Sequence, residues 1–442
     1  MRNLKTLRTM ALATLFATTA FAGAAQAVEL SLLRFFGECN TDYGSVTDIS
    51  KANGECGIIT VLTNKFNAEN TLGAKVVTQT VEWGAYYDQL TATYSTGNIP
   101  DIAVMHASVL PNFANRDLLT PLSEPMKTLG IDTQDFVPAA LKNATANNEI
   151  YALPFDLHAL LFHVNMDLMK QAGMVKPDGS PVLPTSAEEL IAQGKKFKEA
   201  TGKNFIASES QSAEGMMVRF FDTLLWQQGV DVLSADGKTA SINTPEGLNA
   251  AKLISSIYSE GLANPALDYP GSEQAFLNGE AGILINGTWG VDNYDSQAKS
   301  GKATLKNYRV ANVPQLFANP KVWADSHMWV IPKDESRSEE ETKAAEAFLK
   351  FLNDNNYEWS RTGHLSVRQS VLDSDAFKAL PHRNEFSGTA ANATALPQVQ
   401  NQRAVYNAMI TDLNAMWLTG TEPQAALEAM QAGVDRVLRR NR

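Results

Sequence analysis

Residues 279–294, "GEAGILINGTWGVDNY", place a large aromatic side chain where it could meet a ligand. The apolar run 281–285 predicts a buried strand, and the Asn-Gly pair after it predicts an exposed turn that carries Trp289. An indole on such a turn offers a flat apolar face and one N–H donor. The same ring could instead pack on the helix that follows, which is the commoner outcome for an isolated tryptophan. The local sequence leaves both interpretations open.

A second candidate lies at the end of another predicted strand, residues 102–105. His106 and Ser108 follow this strand directly. In open α/β sheets, ligands bind outside the carboxyl ends of the strands, so both side chains are placed where binding is expected. A single histidine in such a position is still more often structural than functional.

Alternating strand and helix patterns position these residues. The chain reads as strand in "VELSLLRFF", helix over 58–70, strand over 74–80 and then helix again. Further helices are predicted over 186–201, 215–228, 249–260, 273–278, 339–353, 404–417 and 423–438, and Phe221 and Trp226 are expected in the core. This alternation is typical of α/β proteins.

The first 27 residues have the pattern of a secretory signal peptide, with a basic start, an uncharged apolar run over 10–22 and small residues before the cleavage site. The mature protein is expected to begin at Val28, in the periplasm and without a lipid anchor. Its net charge would be about −14, because the leader removes three basic residues. That balance argues against a nucleic-acid or anionic-membrane surface.

The two cysteines, Cys39 and Cys56, lie 17 positions apart in a chain that is expected to be exported. We therefore predict one disulfide, closing a loop rich in Gly, Asn, Asp and Ser. On the loop-entropy model the bond would contribute roughly 3 kcal/mol to stability.

Nucleotide cofactors and metals find little support in the sequence. There is no Gly-x-Ser-x-Gly elbow and no glycine-rich dinucleotide fingerprint, so no cofactor is predicted. His158 and His163 are five positions apart and the cysteines are far from any histidine pair, so no metal site is predicted either. The pair Tyr86 and Tyr87 is expected to place one ring on the surface and one in the core.

An ordered set of segments carries a resemblance that covers nearly the whole mature chain. The segments are "NIPDIAV" with "DLLTPL", "YALPFDLHALLFHVNMDLMKQAG" with "PTSAEELIAQGKKF", "FLNGEAGILINGTWG", "SHMWVIPKD" with "AAEAFLKFLN", and "GHLSVRQSV". Together they resemble the family 1 extracellular solute-binding proteins of ABC importers, the sugar-binding group that includes maltose-binding protein.

The resemblance implies an α/β, two-lobe periplasmic binding protein fold, with the ligand cleft between lobes joined by crossing strands. The amino-terminal lobe is expected at 28–157 plus 314–372, and the carboxy-terminal lobe at 158–313 plus 373–442. A carbohydrate would be captured by hinge closure and delivered to the membrane permease by a monomer that is not an enzyme.

Sugars present apolar C–H faces and a rim of hydroxyls, so a sugar cleft needs flat aromatic rings together with carboxylate, amide or Arg groups. Trp289 suits the first need. For the groups that bind hydroxyls, the matched segments of the family imply a larger set of candidate residues. That set is Glu38, His106, Asp156, His158, Glu209, Asp325, His327 and Arg368, with Trp83 and Tyr406 as weaker candidates.

Two alternatives stay open. An exported carbohydrate-active enzyme would also have aromatic rings and paired carboxylates. A binding protein of the same scaffold could take a phosphorylated polyol, a polyamine or ferric ion instead of a mono- or oligosaccharide or polyol.

Overall fold

The computed structural model describes residues 28–211 and 215–440, so the predicted signal peptide lies outside the described residues. Within those ranges, no helix has both the length and the apolar composition to cross a membrane. The strands are β1 (Glu29–Arg34), β2 (Lys75–Thr80), β3 (Ile102–His106), β4 (Thr145–Ala146), β5 (Glu149–Ile150), β6 (Leu153–Pro154), β7 (Asp156–Asn165), β8 (Asn204–Ala207), β9 (Ala281–Gly287), β10 (Tyr308–Asn312), β11 (Val322–Asp325), β12 (His327–Val330), β13 (Leu365–Ser366) and β14 (Ala393–Ala395).

Each predicted helical segment matches a helix whose ends differ from the prediction by a few residues, and further helices lie outside the predicted segments. The helices are α1 (Asn40–Tyr43), α2 (Gly54–Glu69), α3 (Trp83–Thr96), α4 (Leu110–Ala114), α5 (Ser123–Thr128), α6 (Pro138–Asn143), α7 (Met166–Gln171), α8 (Ala187–Thr201), α9 (Met216–Gln227), α10 (Pro245–Ser259), α11 (Tyr269–Leu277), α12 (Val291–Ser300), α13 (Glu339–Asp354), α14 (Asn356–Ser360), α15 (Gln369–Leu372), α16 (Asp375–Lys378), α17 (Thr389–Asn392), α18 (Gln402–Leu418) and α19 (Pro423–Arg440).

The first sheet has the strand order β2-β1-β3-β12-β6. Strands β1, β2 and β3 run parallel, as expected for strands joined through helices. Strand β12 runs antiparallel to β3 and brings His327 opposite His106. The side chains that follow the parallel strands are therefore gathered at one edge of this sheet.

The second sheet is built on β7, a ten-residue strand that is buried almost throughout. Its order is β14-β11-β7-β9-β8, and β10 and β13 also pair with β7. The chain changes sheet between β6 and β7, and again between β11 and β12. These two crossings lie side by side, because Asp325 is opposite His158 and the Phe155 N–H donates to the His327 carbonyl at 2.9 Å.

The two-lobe α/β expectation is consistent with these two sheets, each with its own apolar core. The residue boundaries of the lobes stay a prediction. Within the predicted segment 314–372, β11 pairs with the second sheet and Trp323 packs in the second core, whereas Met328 packs in the first. The change of sheet therefore falls at Ser326.

The core contains the two aromatic residues expected there, since Phe221 and Trp226 are both buried. The expectation for Tyr86 and Tyr87 is wrong, because both rings are buried. The Tyr86 hydroxyl lies 2.8 Å from the Val104 carbonyl, and the Tyr87 hydroxyl is bonded to His106. A buried phenol is tolerated when its hydroxyl has a partner, so both faces of this part of α3 can be covered.

Cys39 and Cys56 form the predicted disulfide, with their Cα atoms 6.1 Å apart. The loop that it closes is held by side chains from elsewhere in the chain. Asn64 donates to the Tyr43 carbonyl at 2.8 Å, and Arg361 donates to the Ile49 carbonyl at 2.9 Å. The loop is thus an ordered arm at the start of α2.

Replacing both cysteines with serine should lower the free energy of unfolding by about 3 kcal/mol, since the unfolded chain regains the entropy of the open loop. Urea unfolding of the double variant and of the oxidised wild type measures the difference. Wild type treated with reductant serves as the control and should match the variant. Two reactive thiols in unfolded, unreduced wild type would contradict the bond.

Candidate functional site

A cavity of about 590 Å³ lies between the two sheets and receives side chains from both. The first sheet and its helices contribute Phe35, Glu38, Glu55, Glu82, Trp83, His106 and His327. The second contributes His158, Arg219, Tyr269, Glu273, Trp289 and Trp323. Aromatic rings and charged or hydrogen-bonding groups therefore line one space, as in binding sites for polar ligands.

A larger depression, of about 730 Å³, lies beside α6. Its lining is mostly small polar and aliphatic, with Phe136 as its aromatic ring and Lys142 as its charged group. It lacks the convergence of aromatic and titratable side chains that distinguishes the cavity between the sheets, so we place the candidate site in the latter.

A buried carboxylate organises the floor of this cavity. Asp156 accepts hydrogen bonds from His158 Nδ1 at 3.1 Å, from His327 Nδ1 at 2.7 Å and from the His327 backbone N–H at 3.0 Å. The Trp359 indole donates to the same carboxylate at 2.7 Å. Because a carboxylate has about four acceptor positions, Asp156 is fully satisfied and both imidazoles are held in fixed orientations.

The protonation states follow from this geometry. Burial acts to raise the pKa of Asp156, but the charges of His327 and His364 and the bonds from His158 and His327 hold that pKa well below its usual range. Burial lowers the pKa of His158 to about 3, whereas the Asp156 charge overcomes the burial of His327 and raises its pKa. His158 is therefore neutral, and since its Nδ1 carries the proton, its Nε2 is an acceptor.

The third imidazole of the cavity has the opposite tautomer. The Tyr87 hydroxyl accepts the His106 backbone N–H at 2.8 Å, so its own proton points to His106 Nδ1 at 2.6 Å. Burial and the neighbouring His327 and His158 hold the pKa of His106 well below its usual range. The ring is neutral with its proton on Nε2, which makes His106 a donor.

Asp156, His158, His327 and His364 form a group of metal-ligating type, with one ligand atom from each within 4.8 Å of the others. Histidine and aspartate are ligands that zinc accepts. His158 and His327 are bonded to Asp156, whereas His364 Nε2 lies 2.8 Å from a Glu55 oxygen. Each of the four side chains therefore has a hydrogen-bond partner within the protein. His163, five positions from His158, bonds Tyr308 and Gly287 instead.

The aromatic wall is fixed by close packing. Trp289 follows β9 on a short 3₁₀ turn, Thr288–Gly290, and its indole donates to the Tyr269 hydroxyl at 2.7 Å. A Cβ atom at Gly287 would lie 1.9 Å from the Trp289 ring, so only glycine fits there. The Gly287 carbonyl accepts from His163 Nε2 at 3.0 Å, which anchors the turn from below.

The carboxylates of the cavity are largely held in place. Glu38 accepts the Asn40 N–H at 2.8 Å, and Glu55 is bonded to His364. Glu273 accepts from the Tyr294 hydroxyl, and burial raises the pKa of Glu273. These groups are acceptors for ligand donors at defined positions.

The structure brings most of the sequence candidates together. Trp289, His327, His158, His106, Glu38 and Trp83 line the cavity. Asp156 lies behind the histidines, as described. Asp325 and Tyr406 line a small adjoining pocket, where Asp325 accepts from the Ser108 hydroxyl at 2.5 Å and burial raises its pKa.

Two candidates lie elsewhere. Glu209 is buried and accepts the Met216 N–H at 2.8 Å, close to the start of α9. Arg368 donates to Asp135 at 2.7 Å and to the Asn353 carbonyl at 2.7 Å, outside the cavity lining. Carry-over by matched segment places such residues near the cleft but cannot say which way each side chain points.

Sequence reasoning missed several residues of the lining. They are Phe35, Glu55, Glu82, Arg219, Tyr269, Glu273 and Trp323. A signal was present for one of them, because Arg219 is a lone cation within the otherwise apolar start of α9, "MMVRFF". A charge in such a position needs a partner or a cavity.

The model of the family described as bacterial extracellular solute-binding protein matches residues 62–385. A putative binding protein of Brucella abortus (strain 2308) is 24% identical over 380 residues, covering 85% of this chain and 88% of the relative. The arabinooligosaccharide-binding protein of Bacillus subtilis (strain 168) is 23% identical over 331 residues, covering 73% of this chain and 72% of the relative.

Two solved structures are similar over nearly the whole chain. The GacH receptor of Streptomyces glaucescens, solved unliganded and with acarbose, has a TM-score of 0.77 at 18% identity and covers 94% of this chain and 100% of its own. An ABC transporter solute-binding protein of Agrobacterium radiobacter K84 in complex with ribitol has a TM-score of 0.73 at 19% identity, covering 93% and 98%. At such identities the likeness shows the fold.

Replacing His163 with glutamine should flatten the pH dependence of stability. Burial lowers the pKa of His163 to about 3, so the folded protein keeps it neutral while the unfolded chain binds a proton below its ordinary value. Stability is then present above about pH 6.5 and lost on acidification, by about 1.4 kcal/mol per pH unit for this group. Urea unfolding of both proteins between about pH 6.5 and about pH 4 measures the slopes, and parallel curves would contradict the assignment.

Proposed function

The chain belongs to the bacterial extracellular solute-binding proteins, and on that premise we propose that it captures a carbohydrate for an ABC importer. The solute would be a mono- or oligosaccharide or a polyol. Capture would take place in the periplasm, after removal of the predicted signal peptide. The protein would then deliver its ligand, as a monomer and without chemical change, to the permease in the inner membrane.

The observation that carries this proposal is the composition of the cavity wall. Three indole rings, those of Trp83, Trp289 and Trp323, face one space of about 590 Å³ together with imidazole, guanidinium and carboxylate groups. Flat rings bind the C–H faces of a sugar, and charged or imidazole groups bind its hydroxyls. The arabinooligosaccharide-binding relative and the acarbose and ribitol complexes of similar structures support the same ligand class.

The hydrogen-bonding groups would discriminate among hydroxyls by direction. His106 presents a donor and His158 an acceptor, each fixed by a buried partner. A sugar hydroxyl donates and accepts, so it can bridge two such groups only in one orientation. Holding the imidazoles in place in advance removes part of the ordering cost of binding.

Closure of the cavity would supply the signal to the permease. The lining comes from both sheets, so a ligand that contacts both stabilises the arrangement in which they are close. The shift in population is limited by the difference in affinity between open and closed forms. The permease would then bind the surface that closure creates.

Calorimetric titration against sugars and polyols tests the proposal. Saturable binding of at least one carbohydrate at one site, with no change in the ligand recovered afterwards, is the expected outcome. Turnover of a glycoside by purified protein would instead support the exported enzyme. Binding of polyamine or ferric ion in preference to every carbohydrate would support the non-sugar alternative.

Replacing Trp289 with alanine should weaken binding of the carbohydrate identified in that screen at least 10-fold, or about 1.4 kcal/mol or more, because a stacking face is lost. Calorimetry of both proteins measures the change. The control is Trp417→Ala, which removes an indole that stacks on Tyr258 outside the cavity. The Trp417 variant should melt at a lower temperature and bind the carbohydrate normally. If the Trp289 variant instead bound normally and melted at a lower temperature, Trp289 would belong to the core.

A further inference from the structure

We infer that the wall around Arg219 and Trp323 is a subsite for an anionic group, so that the ligand is an acidic carbohydrate. The inference rests on the proposed function, since the rest of the ligand would be the sugar that the cavity receives. Such a sugar carries a carboxylate, phosphate or sulfate. These groups share a negative charge and several acceptor oxygens.

Arg219 is a buried cation without an acidic partner in the part of the chain that the structure describes. The side chain is 7% exposed and lines the cavity. Among the described residues, 28–211 and 215–440, no carboxylate oxygen lies within 4.0 Å of its guanidinium. Its Nε is buried without a hydrogen-bond partner, and its Nη1 reaches only the Met216 sulfur, at 3.9 Å. A charge in this state is costly unless a ligand completes it.

Four aromatic rings surround the guanidinium. The Arg219 Cζ atom lies 4.7 Å from the ring centre of Trp323, 5.2 Å from Trp83, 5.7 Å from Trp289 and 5.9 Å from Tyr406. Such rings stabilise a cation by about 1–2 kcal/mol where water is excluded. They accept no conventional hydrogen bond in the plane of the guanidinium, so its N–H donors still need oxygens.

The nearest acidic residue on the same helix does not neutralise Arg219. Asp222 is fully buried, and both of its carboxylate oxygens lack a hydrogen-bond partner. Burial raises the pKa of Asp222 well above its usual range, and the charge of Arg219 only partly opposes this effect. No oxygen of Asp222 lies within 4.0 Å of the Arg219 guanidinium, so the two side chains form no ion pair.

Trp323 adds a second donor without a partner to the same wall. Its indole is 3% exposed, and its Nε1 is buried with no acceptor. Both Arg219 and Trp323 are donor-only side chains. A neutral hydroxyl would add a further donor proton, whereas an anion adds acceptors alone. The surplus of donors in this wall therefore matches an anion.

The carboxylates of the cavity do not fill this role, because no oxygen of Glu38, Glu55, Glu82 or Glu273 lies within 4.0 Å of the Arg219 guanidinium. Glu38 is bonded to the Asn40 N–H, Glu55 to His364 and Glu273 to Tyr294. Each of these has a partner other than Arg219. The cavity is thus polarised, with donors in excess at Arg219 and acceptors at the glutamates, and a ligand with one anionic end and hydroxyls elsewhere matches both.

The first experiment uses inorganic phosphate and sulfate as probes, with tryptophan fluorescence as the readout, at constant ionic strength set with chloride. Wild type should show a saturable change, because three indoles lie within 6 Å of Arg219. R219Q should bind the anions at least 10-fold more weakly, and R219K should fall between the two. R309Q, a change in a half-exposed arginine paired with Glu385 outside the cavity, is the matched control and should behave as wild type.

No saturable change in wild type, or equal binding by R219Q and wild type, would overturn the inference. R219K keeps the charge in a buried position, so it preserves the test if R219Q does not fold. Calorimetry with glucuronate against glucose, and galacturonate against galactose, then separates the two proposals. Neutral sugars bound as well as their acids would leave the carbohydrate proposal standing and refute the anionic subsite. If wild type bound inorganic anions at Arg219 but bound no sugar, the carbohydrate proposal would be refuted and the anionic subsite would stand.

Discussion

The buried charge of Asp156 is the constraint on which the rest of the site depends. The carboxylate is fully buried, at the point where the chain passes from the first sheet to the second. It is tolerated because His158, His327 and Trp359 all donate to it. These donors come from both crossings and from α14, so satisfying one charge fixes the relation of three chain segments. The orientations of His158 and His327 follow from that requirement.

The disulfide arm extends the same arrangement across the cavity. It delivers Glu55 to His364, and the Gly54 N–H donates to Asp292 at 2.6 Å. Asp292 lies in the first turn of α12, the helix that follows the Trp289 turn, so this bond links the first sheet's arm to the second sheet's aromatic wall. Residues far apart in sequence therefore meet through backbone and carboxylate contacts. The arm lines the site together with the two sheets.

Local pattern predicted most of the elements, because hydrophobic periodicity acts over a few residues. Strand β9 follows from the apolar run 281–285, but the exposed turn predicted at the Asn-Gly pair is wrong. Asn286 and Gly287 are buried within β9, and Trp289 lies on the next three residues, Thr288–Gly290. Arg219 could not be placed in this way. Helix α9 is buried on every side, so its periodicity does not tell a face that meets a cavity from one that meets the core. The prediction that Arg368 lines the cavity failed for a related reason, because the position of its side chain is set by Asp135, which is distant in sequence.

The fixed tautomers and the unpartnered donors together place hydrogen-bond donors and acceptors at different positions in the cavity. His158 offers an acceptor and His106 a donor near the floor, while Arg219 and Trp323 offer donors alone on one wall. A ligand that satisfied the floor but placed a hydroxyl proton against Arg219 would leave a buried charge without an acceptor, at a cost of several kcal/mol. A ligand turned the other way would set its anion against the glutamates. The polar groups of this cavity therefore select one orientation of an asymmetric ligand, and the indoles bind whichever face that orientation presents.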